Sequence, residues 1–153
     1  MIEPLRISLD LACPAAHAFR VYTERASVWF PVEHTMTRVP GLAVVFEPRA
    51  GGRILERTAD GMEADWGTIT AWEPPGRLAY EWFIATDRAH ATQVEIRFVA
   101  LAPDRTRMEI EHSGWDRLGD VGETWREANL GGWAGVLPGF QAAAEALDVS
   151  PLA

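Results

Sequence analysis

A chain of 153 residues with 48% hydrophobic and 24% charged side chains is long enough to bury one real core and short enough to be a single domain. Its net charge of −8 argues against nucleic acid and anionic membrane surfaces, since both reward clustered positive charge. All 14 Lys/Arg positions are arginine, which excludes Schiff-base chemistry through a lysine amine.

Leu5, Ile7, Leu9 and Leu11 alternate with Arg6, Ser8 and Asp10, predicting a first strand with one buried face. Pro14 suits a first helical position, where its missing N–H costs nothing. Ala15–Glu24 then reads as a short helix with Phe19 and Tyr22 on one face. A second helical turn over Arg25–Phe30 stops before Pro31. Residues 32–41 show no period and read as a loop into the sheet. Gly51-Gly52 interrupts the strand pattern that opens at Val44, marking a bulge or sharp hairpin and making six strands after the helices.

From Arg53 the pattern is antiparallel strands cut by tight turns. The runs are Arg53–Thr58, Ala64–Trp72, Leu78–Ala85, Thr92–Leu101 and Thr106–Ser113. Asp60-Gly61, Pro74-Pro75-Gly76 and Pro103-Asp104 supply turn residues that preset φ or tolerate positive φ. The period then becomes helical. Trp125, Leu130, Trp133, Leu137, Phe140, Ala144 and Leu147 line one face of a long helix, Asp120–Leu147, with Asp120 and Glu123 resembling a capping box. Gly131, Gly132, Gly135 and Gly139 weaken that helix by roughly 1 kcal/mol each relative to alanine, and Pro138 should bend it. Tertiary packing must therefore hold it. The order predicts one α+β domain over residues 1–153: a helix-grip fold, with a curved seven-stranded antiparallel sheet around a long C-terminal helix and two short helices after the first strand.

No apolar run approaches the roughly 20 residues of a membrane span, and Met1-Ile2-Glu3-Pro4 lacks a signal-peptide pattern. The expectation is a cytoplasmic protein. Cys13 is the sole cysteine and reads as a small buried side chain rather than a reactive thiol. His17, His34, His90 and His112 lack paired-ligand spacing, so no metal is expected; nor is a phosphate loop or any other cofactor site, because Gly51-Gly52 lies between strands.

Large aromatics dominate the inner face of the sheet. Tryptophan is bulky and its N–H wants a partner when buried, so simple cores use it sparingly. The expected ligand-binding residues are Trp66, Trp82, Phe98, Met108, His112, Trp115, Trp133 and Leu137. His112 shares strand parity with Met108 and Ile110 and should point inward. It could orient a ligand or act as an acid or base; the competing reading is a core histidine satisfied by a backbone or tryptophan partner. Arg53, Glu56, Arg57, Glu63 and Asp65 read as the solvated face of an edge strand rather than charge at a cavity mouth.

Several segments together resemble a known family. They are Leu9-Asp10-Leu11-Ala12-Cys13-Pro14 through Phe19, Trp29-Phe30-Pro31, Glu47-Pro48-Arg49-Ala50-Gly51-Gly52-Arg53, Asp60-Gly61 and Gly67. Glu73-Pro74-Pro75-Gly76-Arg77-Leu78, Trp82, Thr106 through Trp115, Gly132-Trp133 and Leu137 complete the set. In order and spacing they resemble the START/Bet v 1-like (SRPBCC) superfamily, and within it bacterial homologues of the activator of heat-shock-protein ATPase. The resemblance implies a seven-stranded sheet gripping a helix over an apolar cavity, with members that bind hydrophobic molecules, cyclise polyketides or assist a chaperone. Fold alone does not choose among these. The aromatic face and the lack of a complete catalytic constellation favour binding or sequestration of a hydrophobic, aromatic or polycyclic small molecule. A cyclase-like or hydrolase-like enzyme using His112 and a chaperone partner are the alternatives, and a homodimer is left open.

Overall fold

The computed structural model describes residues 1–146. It contains seven strands: β1 (Leu5–Leu11), β2 (Ala43–Phe46), β3 (Arg53–Arg57), β4 (Glu63–Glu73), β5 (Arg77–Trp82), β6 (Thr92–Ala102) and β7 (Arg105–Ser113). Helices α1 (Ala15–Glu24) and α2 (Ala26–Trp29) follow β1, and α3 (Gly122–Ala146) closes the described chain. All pairings are antiparallel in the order β1-β7-β6-β5-β4-β3-β2. The long jump from β1 to the far edge strand β2 carries α1 and α2 across one face. The curled half-barrel and its long helix are the helix-grip arrangement expected from the sequence.

Bulges generate part of the curl. Ile54 pairs with Gly67 while Leu55 pairs with Asp65, so Trp66 is an extra residue on β4. A second irregularity lies between Ile69 and Ala71, opposite β5, and a third between Ala100 and Ala102, opposite β7. Such insertions bend a strand and increase its twist. The bulge at Trp66 also sets that indole inward, where it is 1% exposed.

The core fills the concave side. Phe19, Val21 and Tyr22 from α1, Ile54, Trp66, Ile69, Leu78, Ile96, Phe98 and Met108 from the sheet, and Val136, Leu137, Phe140 and Ala144 from α3 form one cluster. Several of its aromatic pairs meet edge-on, as their quadrupoles prefer: Phe19 on Trp72 at 5.1 Å, Tyr22 on Phe140 at 5.2 Å. Gly139 allows α3 to cross α2 closely, because a Cβ there would lie 2.9 Å from the Trp29 carbonyl oxygen.

Two boundaries differ by two or more residues from the sequence reading where it bears on the site. Strand β5 ends at Trp82 instead of Ala85, because the chain turns into a short 3-10 helix capped by Asp87, whose side chain accepts from the His90 N–H. Helix α3 begins at Gly122 instead of Asp120, after a 3-10 segment, Trp115–Val121, broken at Gly119. It continues through Pro138 to Ala146, and the expected end at Leu147 lies outside the described residues. Among the described residues no helix is long and apolar enough to cross a membrane.

Candidate functional site: an aromatic cavity under the long helix

Between α1, α2, the β2–β5 half of the sheet and α3 lies a cavity of about 100 Å³. Tyr22 and Trp29 line it from the short helices, and Phe46, Trp66, Tyr80 and Trp82 from the sheet. Asn129, Gly132, Trp133 and Val136 line it from α3, and Phe30, His34 and Ile84 from the connecting segments. Two larger hollows of about 350 Å³ lie elsewhere. They are lined by charged strand residues such as Arg97 and Glu95, which pair with each other at 3.2 Å. The aromatic cavity is therefore the better candidate for a small-molecule site.

Three of its indoles turn their N–H groups away from it. Trp29 Nε1 donates to the Val21 carbonyl at 2.8 Å. Trp66 Nε1 donates to Glu56 Oε1 at 2.7 Å. Trp133 Nε1 donates to His112 Nδ1 at 3.0 Å. With its polar edge satisfied in the protein, each ring offers carbon to the cavity.

The partner of Trp66 was not legible. Glu56 is 0% exposed, not part of a solvated strand face. Besides Trp66 it accepts from the Met36 N–H at 2.6 Å, the Thr37 N–H at 2.9 Å and the Thr37 hydroxyl at 2.6 Å. Burial pushes its pKa upward, but the hydrogen bonds from Thr37, Met36 and Trp66 prevail and leave it below the ordinary carboxylate value. A carboxylate accepting this many hydrogen bonds stays ionised even when buried. The rest of the charged group pairs on a strand face as expected, but β3 and β4 are interior strands and the edge on that side is β2. Arg53 bonds Asp65 at 2.6 Å and Glu63 at 3.0 Å, and Arg57 bonds Glu63 at 2.8 Å.

The partner of Trp133 is His112, also 0% exposed. An indole N–H only donates, so Nδ1 must accept, and the ring proton sits on Nε2. Nε2–H then donates to the Thr92 hydroxyl at 2.7 Å, which in turn donates to the Trp82 carbonyl at 3.3 Å. This chain has one direction and every nitrogen of the ring is used. Burial lowers the His112 pKa to about 3, so the imidazole is neutral at pH 7. A neutral ring with both nitrogens occupied and no cavity contact is suited to fixing Trp133, not to moving protons.

Of the eight residues expected to bind ligand, the cavity brings together Trp66, Trp82 and Trp133. His112 supports Trp133 from behind. Trp115 stacks on His112 with ring centres 4.3 Å apart, donates to the His112 carbonyl at 3.0 Å and borders only a hollow of about 10 Å³. Phe98, Met108 and Leu137 pack in the core away from the cavity; Phe98 lies against Phe19 and Tyr22. The reading missed Tyr22, Trp29, Phe30, His34, Phe46, Tyr80, Ile84, Asn129, Gly132 and Val136. Tyr80 had a signal, its shared parity with Trp82, as did Tyr22 on the helix face of Phe19. Ile84 carried the same parity signal within the predicted run Leu78–Ala85, whereas His34 sits in a segment without period and had none.

Among the described residues no three His, Cys, Asp or Glu side chains come together as metal ligands. Cys13 is buried, and burial, with Glu145 nearby, pushes its thiol up to about 11.

Residues 12–145 match the model of one family, described as Activator of Hsp90 ATPase homolog 1-like protein. The chain belongs to that family. Among solved structures it is similar to the anthrahydroquino-γ-pyrone synthase Txn09 complexed with SUM, at 33% identity over 95% of this chain and 96% of that one, with a TM-score of 0.61. It is also similar to CalC from Micromonospora echinospora, described as a self-sacrificing resistance protein, at 27% identity over 93% and 94% of the two chains, with a TM-score of 0.72. The Aha1 dimer from Colwellia psychrerythraea shares the fold, at 13% identity, 99% and 100% coverage and a TM-score of 0.66. No curated protein matches the chain.

Proposed function

We propose that this protein binds and sequesters a hydrophobic aromatic or polycyclic small molecule in the cavity beneath α3. One observation carries the reading: the cavity is walled by aromatic rings, and none of its lining residues is Asp, Glu, Lys or Arg. Such a lining rewards apolar surface and penalises an ionised guest, which would lose hydration without a counter-charge. Similarity to a resistance protein and to a synthase named for a fused aromatic product supports a ligand of this class.

The enclosed volume sets a condition. A dry cavity of about 150 Å³ takes up benzene, and this one holds about 100 Å³. Even a one-ring guest must therefore push the half-buried side chains of His34, Ile84 and Asn129 outward.

The second reading, an enzyme of the polyketide cyclase kind, is favoured by the 33% identity to a synthase. It would not run through His112, whose ring nitrogens are both engaged. A chaperone-partner role rests on the family description. Native mass spectrometry of freshly purified protein tests the main reading. A co-purified neutral aromatic, displaced by denaturation, is the expected result. Ligand-free protein that also fails to bind any member of a diverse aromatic panel would overturn it.

A further inference from the structure

Tyr22 and Tyr80 are 3% and 2% exposed, and both line the cavity. Their hydroxyl oxygens are 2.8 Å apart. Either can donate to the other, but only one hydrogen can lie between them. Among the described residues neither hydroxyl has a further hydrogen-bond partner. Two hydroxyls carry two hydrogens, so one O–H is left over. A buried donor without a partner is costly and rare in folded proteins, and the open space beside this one is the cavity.

Building on the binding reading above, we infer that the Tyr22–Tyr80 pair is a ligand subsite, whose spare O–H donates to the carbonyl oxygen of a neutral aromatic ketone or quinone lying against the tryptophan walls. Each part of that chemistry has a cause. The ligand is aromatic because Trp29, Trp66 and Trp133 have spent their N–H groups elsewhere and offer only ring carbon. It is neutral because no charged arginine or carboxylate lines the space. It presents an acceptor because the pair stays protonated: burial raises both phenol pKa values, Tyr80 further through its neighbour Tyr22. A phenol held this way donates and does not ionise.

The pair is also rigidly placed. Tyr22 stands on α1, wedged against Trp29 at 5.0 Å and Phe140 at 5.2 Å. Tyr80 stands on β5, against Trp82 at 5.7 Å. The donor therefore forms a fixed floor, while the half-buried rim is the part that must give way to admit a ring.

The test uses an isosteric pair of probes, 1-indanone and indane, which differ by one carbonyl. Binding is followed by tryptophan fluorescence in the wild type, in Tyr22→Phe, in Tyr80→Phe and in the double variant. The double variant should bind 1-indanone about 2- to 12-fold more weakly, the range of one hydrogen bond, while indane binding holds or tightens. Each single variant keeps one O–H and should fall between. The infrared C=O band of bound 1-indanone should lie lower in wild type than in the double variant. An indanone-to-indane ratio unchanged in the double variant, with indane still bound, overturns the subsite but leaves the cavity reading standing. Failure of both probes to bind wild type overturns both. Where the double variant does not fold by circular dichroism, the wild-type C=O band decides. A band at the hexane position overturns the inference, and a hydrogen-bonded band supports it.

Discussion

Replacing Glu56 with glutamine changes one atom and should cost measurable stability. The carboxylate accepts from Trp66 and Met36 at Oε1 and from Thr37 twice at Oε2. An amide keeps one acceptor oxygen and turns the other into a donor. Facing its NH₂ toward Trp66 and Met36 would leave two N–H groups opposed, so it should face Thr37. There the hydroxyl can rotate to accept, and only the Thr37 N–H is stranded. A stranded N–H costs about 1–3 kcal/mol, and the remaining bonds lose their charge assistance. Relief of the buried charge offsets part of this. The net is about 2–3 kcal/mol, which for a chain of this size lowers Tm by roughly 4–12 °C. The pH dependence carries its own signature. Because the folded-state pKa is lowered, this stabilisation is fully present above the ordinary value of 4.5 and is lost as pH falls through the folded value. Thermal melts from pH 3 to 8 should therefore show Glu56→Gln less stable at neutral pH and less steeply destabilised below pH 4.5. Identical melting temperatures with identical acid limbs would refute the role given to this carboxylate.

Two further outcomes follow from the cavity's supports. His112→Ala removes a fully buried ring and strands the Trp133 N–H, so it should cost about 2–4 kcal/mol in urea unfolding. Since burial lowers its folded pKa to about 3, wild-type stability should fall as pH drops from 6.5 toward 3, by at most about 1.4 kcal/mol per pH unit, and the variant should lose that slope. Loss of a turnover with unchanged stability and slope would instead make it an acid or base. Gly132 lines the cavity, and a Cβ there meets no atom within 4 Å. Gly132→Ala should stabilise α3 by up to about 1 kcal/mol, and Gly132→Leu should keep the fold while abolishing uptake of aromatic probes. Equal uptake by Gly132→Leu and wild type would place the binding site elsewhere.

The fold was legible because its signals are local. Alternation in β1, the turn residues around β3 to β7 and the helical period after Trp125 each act within a few residues. Part of the site was legible on the same terms: Trp82 and Trp133 followed from strand parity and helix face. What escaped depends on where distant segments return. Glu56 reads as a strand-face charge until residues 36 and 37, in a loop with no period, close over it and donate to it. Phe98 shares the inward parity of the pocket residues, but α1 covers it through Phe19 and Tyr22, turning it into core. His112 pointed inward as expected. Its pairing with Trp133, 21 residues on, decides between support and chemistry, and no spacing rule reveals it.

The central claim is that an aromatic guest sits among Trp29, Trp66, Trp82 and Trp133. The chain has seven tryptophans, each giving one indole N–H signal in a ¹H–¹⁵N spectrum. Titration with 1-indanone tests the claim most directly. Signals of those four should shift with a common affinity, while that of Trp72, packed on Phe19 and outside the cavity lining, should stay in place. Shifts confined to Trp72 and Trp125, or none at all at saturating probe, would contradict the claim.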